Sequence, residues 1–117
     1  MSTREDTLTR ITVAYRKATS DAAKLGPALG IAVLRSGLSF DLIAEDIGYS
    51  KQTVYTWIFG RTYPHHSTHK RIRELTAMLE KATRSGGMLP VLDELTPGKE
   101  RELLKQVRAK YDTAVVS

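Results

Sequence analysis

Between Ser39 and Gly60 the chain carries two helix-length segments back to back, each with its own start and stop signals. Ser39 is placed to cap a helix over about Phe40 to Ile47, which Gly48 ends. Ser50 is placed to cap a second over Lys51 to Phe59, which Gly60 closes. A serine just before the first turn accepts from an amide that has no partner inside the helix. A glycine just past the last turn adopts a left-handed backbone without a side-chain clash. Only Gly48, Tyr49 and Ser50 separate the two helices, so the turn between them is tight. Any fold open to this chain has to accommodate that pair.

The flanks also read as helices. A first segment, about Thr3 to Leu25, spaces Leu8, Ile11, Tyr15, Ala18, Ala22 and Leu25 by three and four, and Ser2 with Glu5 matches a capping box. Gly26-Pro27 is expected to end this helix and open the next, since proline is tolerated at a first helical position. That second helix runs to about Ser36, with Leu29, Val33 and Leu34 inward and Gly37 as its stop. Beyond the loop Arg61-Thr62-Tyr63-Pro64, a helix from about Ser67 to Arg84 carries Ile72, Leu75, Leu79 and Ala82 on one face, and Ser85-Gly86-Gly87 ends it. Thr96-Pro97 opens a last helix to about Tyr111, with a narrow stripe of Leu103, Leu104, Val107 and Tyr111; Thr113 to Ser117 reads as a loose end. There is no sustained apolar/polar alternation and no Asn-Gly or Asp-Gly turn. The expected class is all-α, a small helical bundle.

Several functions are disfavoured by what the 117 residues lack. There is no cysteine, which removes disulfides, thiolate zinc sites and cysteine nucleophiles and fits a reducing interior. No apolar run approaches the roughly 20 residues of a spanning helix, and the polar start Met-Ser-Thr-Arg-Glu-Asp is not that of a signal peptide, so a cytoplasmic location away from membranes is expected. No Ser/His/Asp set, paired carboxylates or Gly-rich phosphate loop stands out, so neither enzymatic activity nor a cofactor or small-molecule ligand is expected. His65 and His69, four apart, have metal-ligand spacing, but no cysteine or close carboxylate completes a set, and no metal is expected. The formal charge of +5 is uneven: residues 61–85 hold six basic and two acidic side chains together with His65, His66 and His69. A basic excess favours an anionic partner. Phe40, Tyr49, Tyr55, Trp57, Phe59 and Tyr63, most of the aromatic residues, lie just before that stretch or at its edge.

Position by position over Phe40 to Trp57, the chain resembles the helix-turn-helix of phage repressors and Cro-like proteins. Ala44 stands where that family has a small residue under the crossing second helix, and Gly48 follows four residues later at the turn. Tyr49 and Ser50 match the apolar plug and the cap. Ile43 and Ile47 fall inward on the first helix, and Val54 and Trp57 at the buried positions of the second; Gly60 and Pro64 match a Gly-x-x-x-Pro that follows it. The resemblance covers roughly residues 27–82. One position departs: many members carry Gln at the start of the first helix, holding a phosphate and bracing the second, and here it is Phe40. That contact is absent or supplied by another group.

The resemblance implies a sequence-specific regulator of transcription acting on double-stranded DNA, a repressor of a phage, prophage or plasmid, with the helix over residues 51–59 in the major groove. Base contacts then fall to Lys51, Gln52, Tyr55 and Thr56: Gln52 to adenine, Lys51 to guanine, Thr56 to a thymine methyl. Phosphate contacts fall to Ser50, Thr53, Arg61, Thr62, Tyr63, His65, His66, Ser67 and Lys70, with His69 close by. Ile43, Ala44, Ile47, Gly48, Val54 and Trp57 form the core of the motif, and Trp57, with Ile58, belongs inside rather than against a base. Residues 27–85 are the DNA-binding domain. Residues 1–26 (a helix) and 86–117 (a loop and a helix) either pack on it or supply the contact of a homodimer. Three alternatives stay open: a plain αα-hairpin with Lys51 and Gln52 merely solvated; the recognition part of an assembly such as a small terminase or a replication or partition factor; and a helical protein-interaction module.

Overall fold

The computed structural model describes residues 3–84 and 97–111, and within them every regular element is helical. The elements are α1 (Thr3–Lys17), α2 (Asp21–Ser36), α3 (Phe40–Ile47), α4 (Lys51–Ile58), α5 (His69–Arg84) and α6 (Pro97–Tyr111), with a 3-10 turn over His66–Thr68 ahead of α5. Ser2, Ser85-Gly86-Gly87, Thr96 and Thr113 to Ser117, together with the side chain of Tyr111, lie outside the described residues. The all-α bundle expected from the sequence is the fold.

The expected helix boundary at Gly26-Pro27 is not there. The chain turns earlier, at Ala18 to Ser20, because Ser20 is extended (φ −136°, ψ 161°) and its hydroxyl accepts from the Ala23 amide, which starts α2 at Asp21. Gly26 and Pro27 lie inside α2 and are buried. A proline there forfeits one helical hydrogen bond; its ring is, in turn, among the most fully buried side chains of the protein. Gly26 marks a helix crossing. A Cβ at that position would lie 2.0 Å from the Trp57 carbonyl oxygen, so only glycine lets α2 come so close to the backbone of α4. The pair is dictated by tertiary contact, not by a chain reversal.

α2 is the central helix, against which α1, α4 and α5 pack, while α6 packs on α5 and α3. One core runs through all six helices: Ile11 from α1, Leu29 and Val33 from α2, Ile43 and Ile47 from α3, Val54, Trp57 and Ile58 from α4, Ile72, Leu75 and Leu79 from α5, and Leu104 and Val107 from α6. The N-terminal helix and the last helix are thus both seated on the same core as the central pair. α6 is further tied by charge. Arg108 makes two hydrogen bonds to the Asp46 carboxylate, at 2.9 and 2.7 Å, and Arg101 contacts Glu45 at 3.1 Å. Arg71 of α5 also donates to the Asp46 carbonyl.

Two ends differ slightly from expectation. α4 stops at Ile58, and Gly60 (φ 75°) closes it as Gly60 N–H donates to the Trp57 carbonyl and Arg61 N–H to the Thr56 carbonyl. α5 begins at His69 because Thr68 folds back tightly, its amide and hydroxyl both donating to the His65 carbonyl.

Candidate nucleic-acid interface

α3 and α4 meet in the turn at Gly48, whose φ of 92° lies in the region that side chains disfavour. The Gly48 and Tyr49 amides both donate to the Ala44 carbonyl, at 2.9 and 3.1 Å, which ends α3. Ser39 and Ser50 cap the two helices, their hydroxyls accepting from the Leu42 and Thr53 amides. Ile43, Ala44, Ile47, Val54 and Trp57 are all buried, Trp57 to 4 % exposure, which leaves no indole face for a base. Tyr49 packs edge-on against Trp57 (centroids 4.9 Å apart) but is itself 39 % exposed, so it covers the motif's rim and is not a buried plug.

With Val54, Trp57 and Ile58 turned inward, Lys51 and Gln52 are exposed and Tyr55 and Thr56 half-buried. No residue of α4 is acidic. Tyr55 is held from two sides, by Phe40 in a T-shaped contact (5.4 Å, 70°) and by Phe59 at 6.2 Å. Phe40, at the position where the resembling family has Gln, therefore braces α4 through an aromatic contact. Lys51 Nζ lies 2.9 Å from Asp41 Oδ1 and 5.5 Å from the Tyr55 ring centre. The Asp41 hydrogen bond first, and then charge interactions with Tyr55 and Asp41, raise the Lys51 ammonium above the ordinary lysine range. The Thr56 hydroxyl donates to the Thr53 carbonyl at 2.6 Å and bonds the Thr62 hydroxyl at 2.7 Å. It ties α4 to the loop that follows.

Of the expected phosphate-side residues, Ser50 and Thr53 lie at the start of α4, Arg61, Thr62 and Tyr63 in the loop after it, and His65, His66, Ser67 and Lys70 in and around the 3-10 turn and the start of α5. Ser50 donates to the Thr53 hydroxyl at 2.8 Å, so the two share one small network. Arg61, Thr62 and Tyr63 are exposed, Tyr63 by 63 %. His65 caps the 3-10 turn: its Nδ1 accepts from the Ser67 amide at 3.2 Å and lies 2.8 Å from the Ser67 hydroxyl, and its ring lies 4.3 Å from that of His66. His69 is spent internally, Nε2 donating to the Pro64 carbonyl at 3.0 Å. No cluster of three or more His, Asp or Glu suited to a metal occurs among the described residues.

The basic stretch over residues 61–85 is not one face. Lys70 reaches Glu74 only loosely, at 4.0 Å, and stays open. Arg71 turns to Asp46, and Arg84 pairs with Glu80. At about 1.5 Å of rise per residue, Lys81 and Arg84 lie roughly 20 Å along α5 from its first turn. The cation that joins Arg61 beside α4 comes instead from α1. Arg10, which the sequence reading did not single out, lines a groove of ≈ 490 Å³ with Gln52, Tyr55, Thr56, Phe59 and Arg61. Its only sequence signal is its place next to Ile11 on the apolar spacing of α1.

No known protein family, curated protein or solved structure matches this chain. No helix among the described residues is long and apolar enough to cross a membrane.

Proposed function

We propose that this protein is a sequence-specific double-stranded-DNA-binding regulator of transcription, of the Cro and phage-repressor helix-turn-helix type, with α4 as its reading helix. The observation that carries this is the division of α4 into a side locked into the core and an outward side of Lys51, Gln52, Tyr55 and Thr56 without a carboxylate. A helix so held presents an amide and an ammonium donor, the groups that read base edges in the major groove. Gln52, exposed on the outward side of α4, pairs with adenine. Lys51 exchanges Asp41 for a guanine edge. Arg61, Thr62, Tyr63, His65, His66, Ser67 and Lys70 follow the backbone after α4, and Ser50 and Thr53 meet it before. His69, whose Nε2 donates to the Pro64 carbonyl, is not counted among them.

Such a module makes few contacts alone, and we read the working form as a homodimer on half-sites about 10 base pairs apart. It acts by occluding a promoter in a bacterial or phage-infected cell, without a cofactor or catalytic step. Selection of binding sites from random duplex DNA at about 0.15 M salt tests the reading. A recovered, two-fold-related motif is the expected result, and the absence of any enriched motif overturns it.

A further inference from the structure

We infer that α1, outside the helix-turn-helix, is part of the DNA-binding surface: Arg10 and Arg61 hold a backbone phosphate across the groove beside α4. This rests on the DNA-binding reading above and adds a strand contact from an element that reading leaves idle. The groove is built on one stripe of α4. Gln52, Tyr55, Thr56 and Phe59 recur at helical spacing and line it, with Arg10 and Arg61 as the cations of the same lining. No carboxylate lines it, and among the described residues neither arginine has an ion-pair partner. Two unpaired guanidiniums at the margin of a helix that carries no acid fit a polyanion, and planar guanidinium matches phosphate oxygens in a bidentate fashion.

The position of Arg10 is set by packing. Its neighbour Ile11 is fully buried, and Ile11 and Ile58 converge over Gly30, where an added Cβ would lie 3.2 Å from Ile11 Cδ1 and 2.6 Å from Ile58 Cγ2. Further along α1, Ala14 Cβ lies 3.5 Å from where a Cβ on Gly60 would stand. α1 is therefore fitted to both the last turn of α4 and the loop beyond it. Arg10 stands at a fixed offset from the reading helix, which a phosphate contact in register with base contacts requires.

The test is fluorescence anisotropy with the full chain and two 20-base-pair duplexes, one carrying the selected motif and one of mixed sequence, from about 50 to 200 mM salt. R10A is expected to weaken both duplexes alike and to lower the salt slope by about one for each protomer bound, so its loss of affinity over that fourfold salt range is about fourfold smaller per protomer than that of the parent. R10K is expected to keep the slope, and R73A, an exposed α5 arginine outside the groove, to leave binding as it was. An unchanged slope in R10A overturns the phosphate contact while leaving the DNA-binding reading intact. A loss of preference at a single base pair overturns it too, by making Arg10 a base reader. If the parent binds neither duplex, both proposals fall together.

Discussion

Asp41 binds the one ammonium on the outward side of α4, and on the proposed function an exposed carboxylate at that place has a cost. Under the proposed function, any phosphate brought to Lys51 would also approach Asp41, so the pair would suppress indiscriminate binding and leave Lys51 to be released by a base edge. Replacing Asp41 with Asn is expected to tighten binding to all duplexes by about three- to tenfold at ~0.1 M salt and to narrow the gap between selected and unrelated DNA. Anisotropy titrations with both duplexes would register this, and a gap left as wide as before would contradict it. Gly26 makes a demand of another kind. Its missing side chain is filled by the carbonyl of Trp57, and backbone cannot yield as a side-chain tip can. Gly26→Ala is expected to destabilise the fold by roughly 3 kcal/mol or more, seen as a lower urea midpoint, whereas a midpoint matching the parent would contradict so close a crossing of α2 and α4.

At the scale of elements, α3 works on both sides. Its Phe40 and Asp41 address α4, while Glu45 and Asp46 hold α6 through Arg101 and Arg108. Asp46, only 14 % exposed in its side chain, also receives Arg71, so α3, α5 and α6 share one carboxylate. Asp46→Asn is expected to cost about 2 kcal/mol by leaving Arg108 without its charged partner, a loss measurable by chemical denaturation. An unaltered stability would show that the Asp46 pair adds nothing to the seating of α6. What the sequence revealed follows from how local each cause is. Ser39, Gly48, Ser50 and Gly60 act within one turn of themselves, and α3 and α4 lie where their caps place them. Gly26-Pro27 misleads because its cause is the approach of α4, thirty residues away in sequence, and a turn signal cannot be told from a crossing signal in one dimension. The partners of Asp46 lie 25 and 62 residues along the chain, and Arg10 meets Gln52 only through the seating of α1, so neither grouping was visible before the helices were packed.

For the molecule as a whole, the proposed DNA reading and the structural support fall to different faces of one core. The α4 face holds Gln52 and the open cations; the α3–α6 face consumes its charges internally. The net charge of +5 is thus a poor guide to where an anion binds, since Arg71, Arg101 and Arg108 are already paired. Because Leu104 and Val107 are buried against their own chain, removing residues 92–117 is expected to lower the melting temperature by roughly 10 °C or more, at about 1.5–3 kcal/mol for each large side chain exposed. Light scattering on the same truncation reports whether a dimer survives, and survival places the dimer contact elsewhere than α6. The central claim, that the outward side of α4 reads base pairs, is tested most directly by selecting binding sites in parallel with the parent protein and with Gln52→Ala. The expected result is a motif for the parent in which one adenine position loses its information in the variant, equivalent to about 1–3 kcal/mol of discrimination, with the other positions kept. Identical motifs from the two proteins would contradict it.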